Sequence, residues 1–162
     1  DVTELTCHAD SVSFCLSKGL SSPVGSLICG SSQFIAEARR NRKVLGGGMR
    51  QSGIIAAAGI TALEQMVDRL AEDHENAKRL AEGIARIPEL SIELNRIQTN
   101  IVYFDMADDG FSAETLVKQL VDRGIKILQV APKRIRAVTH YGISAEDIDI
   151  VLAAMSEVMA KS

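Results

Sequence analysis

Residues 11–24 read Ser-Val-Ser-Phe-Cys-Leu-Ser-Lys-Gly-Leu-Ser-Ser-Pro-Val, and this stretch decides how the rest of the chain is organised. From Ser11 to Leu16 the apolar residues Val12, Phe14 and Leu16 recur at every second position, which predicts a strand. Ser17-Lys18-Gly19 ends it, and Ser21-Ser22-Pro23 is turn chemistry. Gly25–Gly30 is a short apolar run bounded by glycines, which predicts a second strand as hairpin partner. Lys18 therefore follows the end of a strand expected to be buried. Open α/β sheets place ligands at such strand ends, and burial there would lower the lysine pKa and make it a Schiff-base candidate. A solvated strand-end lysine fits the same pattern.

Working outward, Ser31 or Ser32 caps a helix through Phe34, Ile35 and Ala38 that ends before Gly46. Its last turns carry Arg39, Arg40, Arg42 and Lys43, the sign preferred near a helix C-terminus. The run Gly46-Gly47-Gly48 follows, flanked by Lys43 and Arg50. Three glycines before a helix allow a backbone to pass close to an anion. They equally suit a flexible linker. From Gln51 to about Met66 the helix is apolar on nearly every face and is expected to be deeply buried.

From Val67 to Ile87 the pattern turns amphipathic, with His74 on the apolar stripe and Asp73 off it, until Pro88 stops it. A small α/β sandwich is predicted beyond. It has strands at Ser91–Leu94 and Asn100–Asp105, a turn at Asp108-Asp109-Gly110, and a helix from Ser112 to Arg123. Strands near Lys126–Val130 and Arg134–Thr139 follow. A final helix starts at Ser144, with a capping-box spacing to Asp147, and runs to about Ala160. On the Arg134–Thr139 strand, Arg134, Arg136 and Val138 share a face. An arginine on an inner strand calls for an anion, whereas on an edge strand it is simply solvated.

The chain has 162 residues, 46% apolar and 24% charged, with 18 basic against 21 acidic side chains and a net charge of −3. That length buries roughly 69% of the unfolded surface without staples, and the apolar fraction excludes disorder. The most apolar stretch, Ser52–Leu63, falls short of the ~20 residues a membrane span needs. Near-neutral charge, four Phe, two Tyr and no Trp argue against a nucleic-acid surface. Cys7, Cys15 and Cys29 are an odd count, two of them inside apolar runs as small hydrophobes, which points to the cytoplasm. His8, His74 and His140 lack ligand spacing, so no metal site is expected.

The segments 13–26, Arg42–Gln51 (Arg-Lys-Val-Leu-Gly-Gly-Gly-Met-Arg-Gln), Asp73-His74-Glu75-Asn76-Ala77, Thr99-Asn100 and Arg136-Ala137-Val138-Thr139-His140 occur in order. Together they resemble the low-specificity L-threonine aldolases, which are aspartate-aminotransferase-like (fold type I) pyridoxal-phosphate enzymes. The resemblance implies an α/β fold in which residues 1–67 are the end of the large domain and residues 68–162 the complete small C-terminal domain. It implies that Lys18 holds pyridoxal 5'-phosphate as a Schiff base, that Lys43 and Arg50 lie near the cofactor, and that Arg136 grips the substrate α-carboxylate. His140 is expected to be structural. The implied reaction is retro-aldol cleavage of L-threonine or L-allo-threonine to glycine and an aldehyde, by a cytoplasmic homo-oligomer, tetramer or dimer. A β-eliminating lyase of the same fold, or a non-catalytic interaction domain, are the alternatives. Only 17 residues precede Lys18, and no Asp-Gly-Ala-Arg-like stretch stands among them, so the chain is expected to be a C-terminal piece that is inactive alone.

Overall fold

The computed structural model describes residues 2–108 and 110–160, and the chain divides into two compact units, one up to Asp68 and one from Arg69 on. The first unit opens with a five-residue helix that the sequence pattern does not announce, α1 (Val2–Thr6). Then come β1 (Ser11–Cys15), β2 (Ser26–Gly30), α2 (Ser32–Val44) and α3 (Gly53–Gln65). Strands β1 and β2 form the expected antiparallel hairpin, with Phe14 opposite Leu27. Ser31 caps α2, its hydroxyl accepting from the Phe34 amide at 3.2 Å. Phe34 then folds back against Gly30 at the end of β2.

Three expectations for this unit fail for one reason. α3 buries only Gly59 and Ala62, β1 alternates between exposed and half-buried, and Cys15 and Cys29 are exposed, as is Cys7. All-round apolarity measures how much surface a helix can bury, but in this unit α3 is met by Leu16 at Gly59 and most of its surface is left uncovered. Ile54, on the uncovered side, is 80% exposed. The residue that does close this unit is Leu16, buried just past β1. Its amide donates to Gly25 O at 2.9 Å and its carbonyl accepts from the Ser22 amide at 3.1 Å. A methyl on Gly59 would stand 3.0 Å from Leu16 Cδ1, so α3 packs against this residue only because position 59 has no side chain.

The second unit contains α4 (Leu70–Ile84), β3 (Leu90–Ser91), β4 (Ile101–Met106), α5 (Ala113–Val121), β5 (Leu128–Gln129), β6 (Arg134–Val138) and α6 (Ala145–Met159). Its four strands form an antiparallel sheet in the order β3-β4-β6-β5. A 3-10 turn over Leu94–Arg96 replaces the end of the expected first strand. The expected turn at Asp108-Asp109-Gly110 includes Asp109, which lies outside the described residues; the Asp108 carboxylate accepts from the Gly110 amide at 2.9 Å.

One sheet face is covered by the helices. Val102 and Phe104 from β4, Ile135 and Ala137 from β6, Ile84 from α4, Leu116 and Leu120 from α5, and Met155 and Val158 from α6 make one core. The apolar stripe of α4 is displaced from its expected position, because His74 is exposed and Asp73 is fully buried. Asp73 can be buried because Arg69, one turn earlier, meets it at 2.7 Å and 3.3 Å.

The capping box at α6 forms as the spacing predicts. The Asp147 carboxylate accepts from the Ser144 amide at 2.8 Å, and the Ser144 hydroxyl accepts from the Asp147 amide at 3.2 Å. The Ser144 backbone N–H, and then its hydroxyl, hold the Asp147 carboxyl below its ordinary value of 3.8. A carboxyl with a lowered folded pKa contributes stability above its unfolded value and loses it as pH falls through the folded one. Asp147→Asn is therefore expected to lower Tm at pH 7, and the gap from wild type should narrow in thermal melts taken below pH ~4.

Candidate active site

Lys18 sits three residues beyond β1, in the loop that Leu16 closes, and is exposed. Its carbonyl accepts from the Ser21 amide at 2.9 Å, a tight turn completed by Ser21 in the left-handed region at φ 56°. Among the described residues the Lys18 side chain makes no hydrogen bond or ion pair. Its backbone is thus fixed by Leu16 and Ser21 while its amine is left free.

The glycine run has a definite structure that excludes the flexible-linker reading of Gly46 and Gly47. Gly46 follows the last turn of α2 at φ +85°, its amide donating to Lys43 O at 3.1 Å, and the Gly47 amide donates to Arg42 O at 2.7 Å. This pair of bonds is the Schellman C-cap, which requires a left-handed residue where Gly46 stands. A side chain at Gly47 would run into the Arg42 carbonyl. Gly48 is different, because what lies over it is the Lys43 ammonium, 3.2 Å from where a Cβ would stand. The cap thereby folds the end of α2 back so that Lys43 covers the third glycine. Arg50 lies just beyond and is exposed, and Ser52 does not cap α3 with its side chain. No hydrogen bond joins Lys18, Lys43 or Arg50 to one another among the described residues.

Arg136 belongs to the second unit. β6 is an inner strand, so the edge-strand reading of its arginines falls. Arg136 lies opposite Tyr103 on β4 and Leu128 on β5, on the sheet face away from α4, α5 and α6. Two residues before it, Arg134 donates Nε and Nη2 to the Asp105 carboxylate at 3.0 Å and 2.9 Å, and that hydrogen bond raises the Arg134 pKa. Among the described residues Arg136 has no such partner. Its Nε is buried and unpaired among the described residues. A buried donor left unpaired costs about 1–3 kcal/mol, a cost removed when an anion arrives. A cavity of about 330 Å³ lies between Ile125–Ile127, the end of β6 and the start of α6, but none of these four residues lines it. No cluster of three or more metal-ligating side chains occurs among the described residues. No helix of theirs is long and apolar enough to cross a membrane.

A family model described as Beta-eliminating lyase matches residues 1–107. The chain belongs to that family. It is 47% identical over 158 residues to the Arabidopsis thaliana protein named probable low-specificity L-threonine aldolase 2, covering 97% of this chain and 44% of that one. It is 40% identical over 161 residues to the low specificity L-threonine aldolase of Escherichia coli K12, covering 99% of this chain and 46% of that one. The chain thus spans a little under half the length of these relatives, on their C-terminal part. The serine palmitoyltransferase of Sphingomonas wittichii superposes with a TM-score of 0.78 at 17% identity, over 98% of this chain and 41% of that one. The fold is therefore that found in fold type I pyridoxal-phosphate enzymes.

Residues to which the sequence reading gave no role of their own also build the surroundings of Arg136. Thr139 and Asn100 pin the end of β6 to the start of β4, while Arg69 bonds Asp73 and lies 4.9 Å from the Tyr141 ring centroid. The Arg69–Asp73 spacing of four was a legible signal; the Asn100–Thr139 pairing had none. His140 is exposed, its Nδ1 2.8 Å from Tyr141 O. Substitution of Gly46 tests the C-cap that sets Lys43. Gly46→Ala is expected to cost about 1–2 kcal/mol from the left-handed backbone, and Gly46→Asn less, as read by chemical denaturation.

Proposed function

We propose that this chain supplies the cofactor lysine and the substrate-carboxylate arginine of a pyridoxal-phosphate-dependent lyase that cleaves L-threonine or L-allo-threonine to glycine and an aldehyde. The observation that carries the reading is the buried, unpaired Nε of Arg136 on an inner strand, beside an Arg134 whose guanidinium is fully occupied by Asp105. A forked guanidinium without a partner suits a planar carboxylate, and Arg134 is not free to compete for it. The named threonine aldolases among its relatives support the substrate class.

The residues present fit a pyridoxal-phosphate group. Lys18 offers an unpaired amine on a fixed backbone, and Gly48 leaves open space beside the Lys43 ammonium that a side chain would fill. Lys18 would hold the group by its aldehyde carbon, and Lys43 with Arg50 would balance its negative charge. The cofactor, when bound, supplies a sink for the electron pair left on Cα when Cα–Cβ breaks. The work of this chain's residues is positional. Arg136 binds the α-carboxylate through two N–H groups and so restricts rotation about the substrate's bonds to Cα, which selects the bond that breaks. The Lys18 amine would also be placed to carry a proton to or from Cα. The cytoplasm and a homo-oligomer, tetramer or dimer, are the proposed setting, with the amino acid as the small-molecule partner.

The test uses the gene product that carries these 162 residues. Borohydride reduction followed by peptide mapping should place the pyridoxyl label on Lys18, and Lys18→Ala should abolish the label and cut glycine formation by about three orders of magnitude or more. A label on another lysine defeats the assignment. Arg136→Lys should raise KM for threonine roughly 10- to 100-fold, the loss of a charge-assisted pair. Acetaldehyde and glycine as products mark the aldolase; ammonia and a 2-oxo acid would mark a β-eliminating lyase instead.

A further inference from the structure

We propose that Thr139, held by Asn100 and by the Asp73 backbone, is a positioning residue for Arg136. The inference rests on the carboxylate-binding role proposed above for Arg136. Strand β6 ends at Val138, yet Thr139 continues its pairing by one step: its amide donates to Asn100 O at 3.0 Å and its carbonyl accepts from Asn100 Nδ2 at 2.8 Å. The Thr139 hydroxyl donates to Asp73 O at 2.6 Å, tying β6 to the first turn of α4. Thr139 is buried at 2% exposure, on the same side as Ile135 and Ala137. A valine would fill that volume equally well. The hydroxyl adds no packing, and the helix ladder already provides for the Asp73 carbonyl. What it adds is a third tether at a point where the strand has lost its ladder.

That tether matters because of where Arg136 stands. The register between β4 and β6 is locked at one end by Arg134 on Asp105 and at the other by Thr139 on Asn100, and Arg136 lies between the two locks with its Nε unpaired among the described residues. Side chains alternate along a strand, so a change of register at the Thr139 end turns Arg136 toward the helices. The helix side of the lock is rigid in its turn. Asp73 is fully buried with both carboxylate oxygens on Arg69, and the Asn76 amide donates to Ile143 O at 2.9 Å across the loop that follows.

The experiment compares Thr139→Val, which removes only the hydroxyl, with Thr139→Ser, which keeps it, in the cofactor-loaded gene product. Two probes are titrated: glycine, and ethanolamine, an amine without a carboxylate. Thr139→Val is expected to weaken glycine binding about tenfold and leave ethanolamine unchanged, with Thr139→Ser within about twofold of wild type for both. Unchanged glycine binding in Thr139→Val, equal weakening of both probes, or an equal loss in Thr139→Ser overturns the proposal. Arg136→Lys separates the two levels: if it leaves glycine binding unchanged, the carboxylate role itself fails. If it weakens glycine while Thr139→Val does not, only the positioning role fails. A second readout needs no cofactor. In the 162-residue chain the Arg136 Nε–Hε NMR signal should stay single and sharp in wild type and Thr139→Ser and should broaden or split in Thr139→Val; an unaltered signal in Thr139→Val overturns the proposal. Should Thr139→Val not yield soluble protein, Asn100→Ser, which releases the Thr139 carbonyl, is judged by the same outcomes.

Discussion

The second unit depends on the antiparallel pairing of β4 with β6. Tyr103 lies opposite Arg136 and Asp105 opposite Arg134, so Val102, Phe104, Ile135 and Ala137 point to the helices and the arginines point away. Because side chains alternate with a period of two, no other pairing serves both faces: a one-residue slip of β6 would bury the guanidiniums of Arg134 and Arg136 and expose Ile135 and Ala137. The amphipathic helices α4, α5 and α6 then have one surface to cover. The same constraint that builds the core leaves a face away from these helices on which an arginine can wait for an anion.

The first unit is held in a different way, by short-range backbone geometry. Leu16 closes the loop that carries Lys18 and receives α3 at Gly59. The Schellman cap turns the chain at the end of α2 and brings Lys43 over Gly48. The loop closure and the cap each need only a short stretch of chain, which is why Lys18 and the glycine run stand out as motifs in the linear sequence. Apolar surface is left over in this unit, on β2 and on the far side of α3. Its chemistry-bearing residues are therefore set by turns and caps, with little help from a packed core.

Legibility follows this division. The β1–β2 hairpin, β4, β6, the Ser31 cap and the Ser144–Asp147 box were readable because each is a local pattern. The depth of burial was not. Cys15, Cys29 and most of α3 look like core in sequence and are exposed, since burial depends on what a neighbour offers. At α4 the error runs the other way: a charged Asp73 takes the buried place expected of His74 because Arg69 neutralises it there. Arg136 was readable as a candidate, but its distinction from Arg134 was not. Only the position of Asp105 across the sheet separates an occupied guanidinium from a free one.

By itself the sequence determined most of the element types, the turn after β1 that carries Lys18, the Ser31 and Ser144 caps and the resemblance to the family, each written in short contiguous segments. Tertiary structure alone decided which charges are satisfied, which apolar faces are covered, and that Asn100, Asp73 and Thr139 meet. Those outcomes rest on pairings between residues tens of positions apart, as with Asn100 and Thr139 or Asp73 and Thr139. Long-range hydrogen bonds of that kind have no local signature. They appear only when the register of a sheet brings distant groups to within 3 Å of each other.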